Sequence, residues 1–336
     1  MPDETQQQKR LSLIDEFPPV PTAAWEEAIA RDLKGADYEK RLVWKTDEGI
    51  AIRPYYRAEH VALREGIFAR GAWEIASPGA EPAADVWAVE AHEAGATAVQ
   101  ELAFALAAAA ELPAGRSTTR VAFAIGSNHF MEIAKLRAFR LLWEKLDGGG
   151  GPGALRIHGR TAGENKTLYD PHVNLLRVVT EALSAVLGGC DSLTITPCRF
   201  DGHLADNVHR ILSEESHLDK VSDPGAGSYY VEWLTDALAG AAWTLFEQIQ
   251  AAGGYTRYRA SGELDAALAA SRAAKEKAVA SRRRVLVGTN SYPNLRERAL
   301  ESADEMPDGW RLASAFEAIR LRTERHAAAT GRTPRV

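Results

Sequence analysis

The sequence predicts an α/β fold in which parallel strands alternate with helical crossovers, and three observations support this prediction. Short apolar segments begin at residues 121, 155 and 192, and spacings of 34 and 37 positions fit one strand plus one helix. Between them, apolar side chains recur three and four positions apart, as on one face of a helix. Glycine-rich stretches at 148–153 and 188–189 interrupt these helical patterns. Repeated units of this kind take right-handed crossovers.

The first seventy residues have a different character. A helix is predicted from residue 22 to 34, and residues 42–50 have the strand, turn, strand pattern of a hairpin. Such an arm is typical of a segment that packs on a partner rather than on its own core. The Pro/Gly/Ala-rich segment at residues 77–85 is interpreted as a linker.

The remaining elements follow from the apolar periodicity. Strands are predicted at 121–125, 155–158 and 192–196, and helices at 94–112, 128–146, 172–187 and 231–252. A charged helix is predicted to follow and to run through the basic triplet at 282–284, before an extended segment at 285–288. The tail beyond Arg296 is predicted to be helical to about residue 328.

The composition limits the function classes. With 336 residues, 46% hydrophobic and 26% charged, the chain has enough apolar content for a large core. A formal net charge of −6 and the lack of a basic stripe argue against nucleic acid. No apolar run approaches the ~20 residues of a membrane span, so we expect a cytoplasmic protein without a membrane partner. Cys190 and Cys198 have no histidine at zinc spacing, so neither a disulfide framework nor a metal site is expected.

Four collinear strings resemble one family. They are EAGATAVQELA at 93–103, MEIAKLRA at 131–138, Asn174 with LSAVLGG at 183–189, and DPGAGSYYVE at 223–232. Together these strings are similar to those of the methylmalonyl-CoA mutase family. In the arm, DLKGADY at 32–38 and WKT at 44–46 resemble the family's small subunits, which carry no B12-binding domain.

The resemblance implies a (β/α)₈, or TIM, barrel that holds an acyl-CoA along its axis, with adenosylcobalamin brought to one end by a separate domain. Family members carry about four β/α units where this chain has only residues 57–92. A complete barrel needs about 200–250 residues, so we predict a partial or degenerate TIM barrel with an extended N-terminal arm. Its edges and inner face should be covered by a second chain or by the arm, and hence we expect an oligomer. The predicted division is arm and hairpin at 1–70, barrel-like domain at 71–296, and C-terminal helix and tail at 297–336.

The catalytic positions of the family are altered here. Counting back from Glu93, the Tyr-His pair that the resemblance implies falls on Val89 and Glu90. On the strand resembling H-x-Q-T-x-G, the glutamine position is occupied by Arg160, whose permanent charge and length would fill a narrow acyl channel. No catalytic residue is therefore assigned.

Three residues remain substrate-binding candidates: Asn128, His158 and Arg160. His158 and Asn128 are expected at the C-terminal ends of strands, where barrel ligands gather. Arg160 has the chemistry to bind a phosphate or carboxylate, and a structural salt bridge is an equal alternative. A lone histidine at a strand end is more often a satisfied structural residue than a ligand, so both interpretations of His158 stay open.

Two further strings have structural interpretations. DGHLAD at 201–206 imitates the start of the family's cobalt-ligating D-x-H-x-x-G motif, but Asp206 stands where glycine is required, and no room exists for a B12 domain beyond Asn294. Gly225, Gly227 and Ser228 are interpreted as a turn, because no GK[ST] follows them.

Two functions are compatible with these features. The first is the non-catalytic partner of a cobalamin-dependent acyl-CoA mutase, in which adenosylcobalamin belongs to the complex and is not bound by this chain alone. The second is a catalytic acyl-CoA isomerase chain that completes its site with a second chain, or a copy of itself, and a separate B12-binding subunit.

Overall fold

A computed structural model describes residues 19–64, 66–68, 71–147, 154–294, 297 and 309–331. The chain divides into two compact units, with the boundary after Pro54, whereas the sequence suggested a boundary near residue 70. Residues 298–308, which were predicted to be part of a helical tail, lie outside the described residues. None of the described helices combines the length and hydropathy that a membrane crossing requires.

The first unit contains two helices and a small hairpin. Helix α1 is Thr22–Leu33 and helix α2 is Tyr38–Leu42. Asp37 caps α2 by accepting the Lys40 backbone N–H at 2.9 Å. Strand β1, Trp44–Lys45, pairs antiparallel with β2, Ala51–Ile52, so the predicted hairpin is confirmed with its second strand beginning just after residue 50.

The second unit is built on a parallel sheet of five strands. These are β3 (Glu74–Ala76), β4 (Val86–Trp87), β5 (Thr118–Ile125), β6 (Ala154–Thr161) and β7 (Ser192–Thr194). Their order is β3-β7-β6-β5-β4, and every neighbouring pair is parallel. Consecutive strands therefore lie side by side from β4 to β7, as in an arc of a β/α barrel, and β3 adds to the far side of β7. Among the described strands the sheet does not close, which confirms the partial barrel.

The second unit has nine described helices, and those at residues 98–110, 129–147 and 171–187 pack against one face of the sheet. The nine helices are α3 (Val89–Glu93), α4 (Ala98–Ala110), α5 (His129–Asp147), α6 (Pro171–Leu187), α7 (Gly202–Arg210), α8 (Tyr229–Ala251), α9 (Tyr255–Ala260), α10 (Glu263–Ala280) and α11 (Ser314–Thr330), with a 3₁₀ turn at Ala58–His60 and a π turn at Ile211–Glu215. Phe123 of β5 points towards them, since its ring lies 4.8 Å from that of Phe139 on α5.

Two predicted helices are each divided in the structure. The helix predicted at 94–112 is α3 followed by α4, and Gly95 lies between them at φ +105°, where an added Cβ would lie 2.6 Å from the Arg272 Cβ. Thr97 then starts α4 with a capping box to Gln100. The charged helix predicted after residue 252 is α9 and α10, and α10 ends before the basic triplet.

The connection between β3 and β4 crosses the other face of the sheet. These strands lie at opposite edges, about 19 Å apart at the usual spacing, and the nine residues 77–85 can span about 30 Å. We call residues 77–85 the strap. Glu81, Ala83 and Ala84 of the strap contact Arg160, Arg120 and the cluster of Ala122 and Ala124. These contacts lie on the face opposite the helices, which we call the inner face. From the sequence, this segment was interpreted as a linker; in the structure it contacts the inner face, and further cover by a second chain or by the arm stays a prediction.

Candidate functional site

The inner face is formed by alternate residues of β5, β6 and β7. Strand register places Ala122 beside His158 and His158 beside Ser192, and it places Ala124 beside Arg160 and Arg160 beside Thr194. All of these except Arg160 are buried. This face is where a complete barrel would hold a ligand, so two of the three candidate residues lie side by side at that position.

His158 lies in the middle of this face. It is fully buried, its Nδ1 is hydrogen-bonded to the Ser192 hydroxyl at 2.9 Å, and its Nε2 lies 3.4 Å from the Thr194 hydroxyl. Its ring stacks on Trp87 with centroids 6.2 Å apart. Burial lowers the pKa of His158 to about 4 against the opposing charge of Glu81, and Arg120 and Arg160 lower it further, so the ring is neutral near pH 7. The sequence suggested that His158 lies at the end of a strand. In the structure it lies inside β6, because that strand continues to Thr161.

Arg160 lies one pleat further along β6. Its side chain is 28% exposed, its Nε donates to the Thr196 hydroxyl at 3.4 Å, and it lies 4.0 Å from a carboxylate oxygen of Glu81 in the strap. Arg160 thus has an acidic partner from its own chain. The long, loose geometry shows a weak ion pair that a side chain movement could open.

Asn128 is not on this face. It lies in the loop after β5, half-buried, and its backbone carbonyl accepts the Glu132 N–H at 2.9 Å at the start of α5. The positions of the family's Tyr-His pair are in α3, where Val89 is buried in the apolar cluster beneath the strap and Glu90 is exposed. Neither offers a hydrogen-bonding ring to a ligand.

Residues 81–85 of the strap lie against the inner face. Besides Glu81, the Ala83 carbonyl accepts a hydrogen bond from Arg120 at 3.1 Å, and Ala84 packs on the cluster that contains Ala122 and Ala124. Asp85 ends the strap by accepting the Arg120 backbone N–H at 2.9 Å. Ala122 and Ala124 of β5 lie beneath Ala84, and their small side chains leave space for the strap backbone there.

The helix side of the sheet carries a buried network of charges around the C-terminal end of β5. Lys135 contacts Glu101 at 2.9 Å and Glu132 at 2.6 Å, and it also donates to the Ala124 carbonyl at 2.7 Å. His92 bridges Glu101, at 2.6 Å from Nδ1, and Glu164, at 3.8 Å from Nε2. Glu101, Glu132 and Lys135 belong to the strings at 93–103 and 131–138, and His92 directly precedes the first of them. These charged residues therefore form buried ion pairs within the fold.

The pKa shifts of this network follow from its geometry. Burial alone would lower the pKa of His92, but the charges of Glu101 and Glu164 outweigh it and raise that pKa. Burial would raise the pKa of Glu164, yet Lys275, at 3.1 Å, and His92 lower it to about 2. Burial dominates at Glu132, whose pKa is raised.

The turn at residues 223–228 is also structural. Arg137 is fully buried and pairs with Asp223 and with Glu232, the latter at 2.8 Å. Glu232 also accepts the Gly227 backbone N–H at 3.1 Å, and helix α8 begins directly after the turn. The interpretation of this motif as a turn is confirmed.

The described residues do not fit cobalamin. Asp201 accepts the His203 backbone N–H at 2.9 Å and so caps α7, and His203 lies exposed in the first turn of that helix. In the part of the chain that the structure describes, no strand and glycine-rich loop follow it. The described residues also contain no cluster of three or more His, Cys, Asp or Glu side chains suited to a metal ion.

A separate cavity of about 660 Å³ lies between α10 and residues 309–316. Arg272 stacks over Trp310 there, with the guanidinium 4.9 Å from the ring centroid, and both side chains hydrogen-bond to Glu276. Because these polar groups satisfy one another, the cavity does not point to a ligand.

Comparison with known proteins decides the family. The profile described as methylmalonyl-CoA mutase matches residues 83–333, about three quarters of the chain. The chain belongs to the methylmalonyl-CoA mutase family. The predicted resemblance is therefore confirmed, and the five-stranded sheet is a shortened form of that family's domain.

Three relatives illustrate how this mutase-family chain is built. A methylmalonyl-CoA mutase small subunit of Porphyromonas gingivalis is 29% identical over 493 residues, covering 96% of this chain and 79% of the relative. A small subunit of Streptomyces virginiae is 38% identical over 73% of this chain and 44% of the relative. The large subunit of Porphyromonas gingivalis is 38% identical over 60% of this chain and 32% of its own length.

The lengths of these matches show that this chain is shorter than the Porphyromonas small subunit over the region they share. The Porphyromonas small-subunit alignment has 493 positions but uses about 323 residues of this chain, so about 170 positions have no counterpart here. The family profile begins only at residue 83, near the end of the strap. The strap lies within residues 57–92, the interval in which the sequence indicates that β/α units are missing. The chain spans under half of the Streptomyces relative.

Proposed function

We propose that this chain is a small, non-catalytic subunit of a cobalamin-dependent acyl-CoA mutase. The observation that carries the proposal is the strap, because it occupies the face on which a complete barrel would hold an acyl-CoA. The altered positions Val89, Glu90 and Arg160 point the same way. Adenosylcobalamin and turnover would then belong to a catalytic partner chain, as the names of the small- and large-subunit relatives suggest.

The test is to isolate the full chain from its native cells by a tag and to identify what copurifies. We expect a second mutase-family chain in one-to-one stoichiometry by light scattering, and turnover of methylmalonyl-CoA with adenosylcobalamin by the complex only. A chain that elutes alone and whose host mutase is fully active without it would contradict the proposal.

Partner binding is expected to involve the first unit. Trp44 of β1 is 52% exposed, and α1 buries none of its residues, so this unit offers apolar surface to another chain. Trp44→Ala should weaken the complex at least tenfold in a pulldown titration. Ile319→Ala on α11, at 54% exposure, is the matched control and should leave the affinity unchanged.

A second candidate function is a catalytic isomerase chain that completes its site with another chain and a separate B12-binding subunit. It is favoured by His158 and Arg160, which remain together on the inner face. Arg160→Met in the purified complex separates the two functions, with Arg156→Met on the same strand as control. Unchanged turnover supports the non-catalytic role, and a loss confined to Arg160→Met supports the catalytic one.

A further inference from the structure

The pair formed by Arg160 and Glu81 has the chemistry of a carboxylate bound to its site. Arg160 presents a planar, permanently charged guanidinium that suits a carboxylate. Among the described residues, Glu81 is its acidic partner, at 4.0 Å, and Thr196 accepts from its Nε. The Arg160 side chain is 28% exposed, so part of its guanidinium reaches solvent.

Glu81 is held in place by its own strap. One oxygen of its carboxylate accepts the Gly79 backbone N–H at 2.9 Å, and the other faces Arg160. A turn from Ser77 to Ala80 and the Arg120 contacts fix the strap on both sides of Glu81. A carboxylate tethered in this way acts at a high effective concentration, and it excludes a free carboxylate of similar intrinsic affinity.

The surroundings of Arg160 favour an anion over a cation. Arg120 adds a second positive charge on the same face, and His158 supplies a neutral ring whose polar atoms are already satisfied. Glu81 is the charge that neutralises this patch, and its side chain is 16% exposed, so solvent reaches its edge. Removing Glu81 would leave a half-buried arginine with an unfilled carboxylate position.

We propose that Arg160 is the centre of a binding site for small carboxylates, and that Glu81 is an internal ligand which keeps this site closed. The proposal goes beyond the subunit role and is independent of any partner. It accounts for the pairing of Arg160 with an acidic residue of the strap on a face that also carries Arg120.

The test uses the full chain with Glu81→Ala and titration with sodium acetate or malonate against sodium chloride at equal ionic strength. We expect saturable carboxylate binding, seen as a shift of the Arg160 Nε–H resonance and a rise in the unfolding temperature, at least tenfold tighter than in the unchanged chain. The double variant Glu81→Ala with Arg160→Met should lose the response. Glu90→Ala, an exposed glutamate on α3, is the matched control.

Equal responses of the unchanged chain and Glu81→Ala would overturn the proposal, as would a response that survives Arg160→Met. If Glu81→Ala does not fold without carboxylate, refolding that requires acetate and Arg160 supports it, and no rescue contradicts it. Glu81→Gln provides a second variant, because it keeps the side chain shape and removes only the charge. Since no mutase partner or cofactor enters these measurements, their outcome is separate from that of the subunit assay.

Discussion

The two faces of the sheet each bury a histidine, and the two histidines have opposite pKa shifts. His92, on the helix side, lies between Glu101 and Glu164, and these charges raise its pKa. His158, on the inner face, is hydrogen-bonded to hydroxyl groups near arginines, and burial lowers its pKa to about 4. The difference shows that the helix side is held by buried ions, whereas the inner face is filled by small neutral groups and the strap.

The largest expected effect comes from breaking the ionic side. Lys135→Met would leave Glu101 and Glu132 buried without their cation, and such a loss costs about 3–5 kcal/mol of unfolding free energy. The measurement is urea denaturation at pH 7. Lys145→Met, an exposed lysine on the same helix, is the control and should cost about 1 kcal/mol or less.

Acid should lower the free energy of unfolding by protonating Glu164, which belongs to the buried charges on the helix side of the sheet. Its folded pKa of about 2 lies below the unfolded value of 4.5, so its stabilisation is present above pH 4.5 and is lost as the pH falls towards 2. A shift of this size corresponds to about 3 kcal/mol. Glu164→Gln should be less stable at pH 7 and should show a shallower loss of stability in acid. A parallel acid profile for both proteins would contradict the assignment.

The two histidines should give pH slopes of opposite sign. Because the folded pKa of His158 is lowered, its contribution is complete above pH 6.5 and is lost as the pH falls to about 4. Because that of His92 is raised, its contribution is complete below pH 6.5 and is lost as the pH rises through its folded pKa. His158→Gln should therefore flatten the stability profile on the acid side and His92→Gln on the basic side, each by at most about 1.4 kcal/mol per pH unit. Imidazole NMR titration measures both pKa values directly.

The smallest effect is expected on the inner face. Arg160→Met removes a pair that is partly exposed and 4.0 Å long, so the free energy of unfolding should fall by about 1 kcal/mol or less. A loss comparable to that of Lys135→Met would show that the inner face also depends on ions, and the comparison of the two faces would fail.

Sequence reasoning reached the β/α units because their apolar periodicity is local. The strand starts near 121, 155 and 192 and the missing units before residue 92 could all be read from spacing and motif order. The strap could not, because nothing in a Pro/Gly/Ala-rich segment tells which face of a sheet it will cross. The crossing follows from the strand order, which places β3 and β4 at opposite edges of the sheet. The nine residues that join these two strands leave only a direct crossing.

The site was predicted in part for a similar reason. His158 was identified as a candidate from its expected place at a strand end, and Arg160 from the glutamine position of the motif that resembles H-x-Q-T-x-G. The register places the two together on the inner face. The partners of each, Glu81 for Arg160 and Ser192 for His158, lie 79 and 34 positions away in the chain, so only the fold reveals them. The buried cluster of His92, Glu101 and Lys135 was missed because its members belong to different helices.

Isothermal titration of the purified chain with methylmalonyl-CoA tests the central claim most directly, which is that the strap takes the place of an acyl ligand on the inner face. We predict no saturable binding in the millimolar range and no change when Arg160 is replaced by methionine. One-to-one binding that is lost in Arg160→Met would contradict the account, because the face would then be open to an acyl-CoA despite the strap.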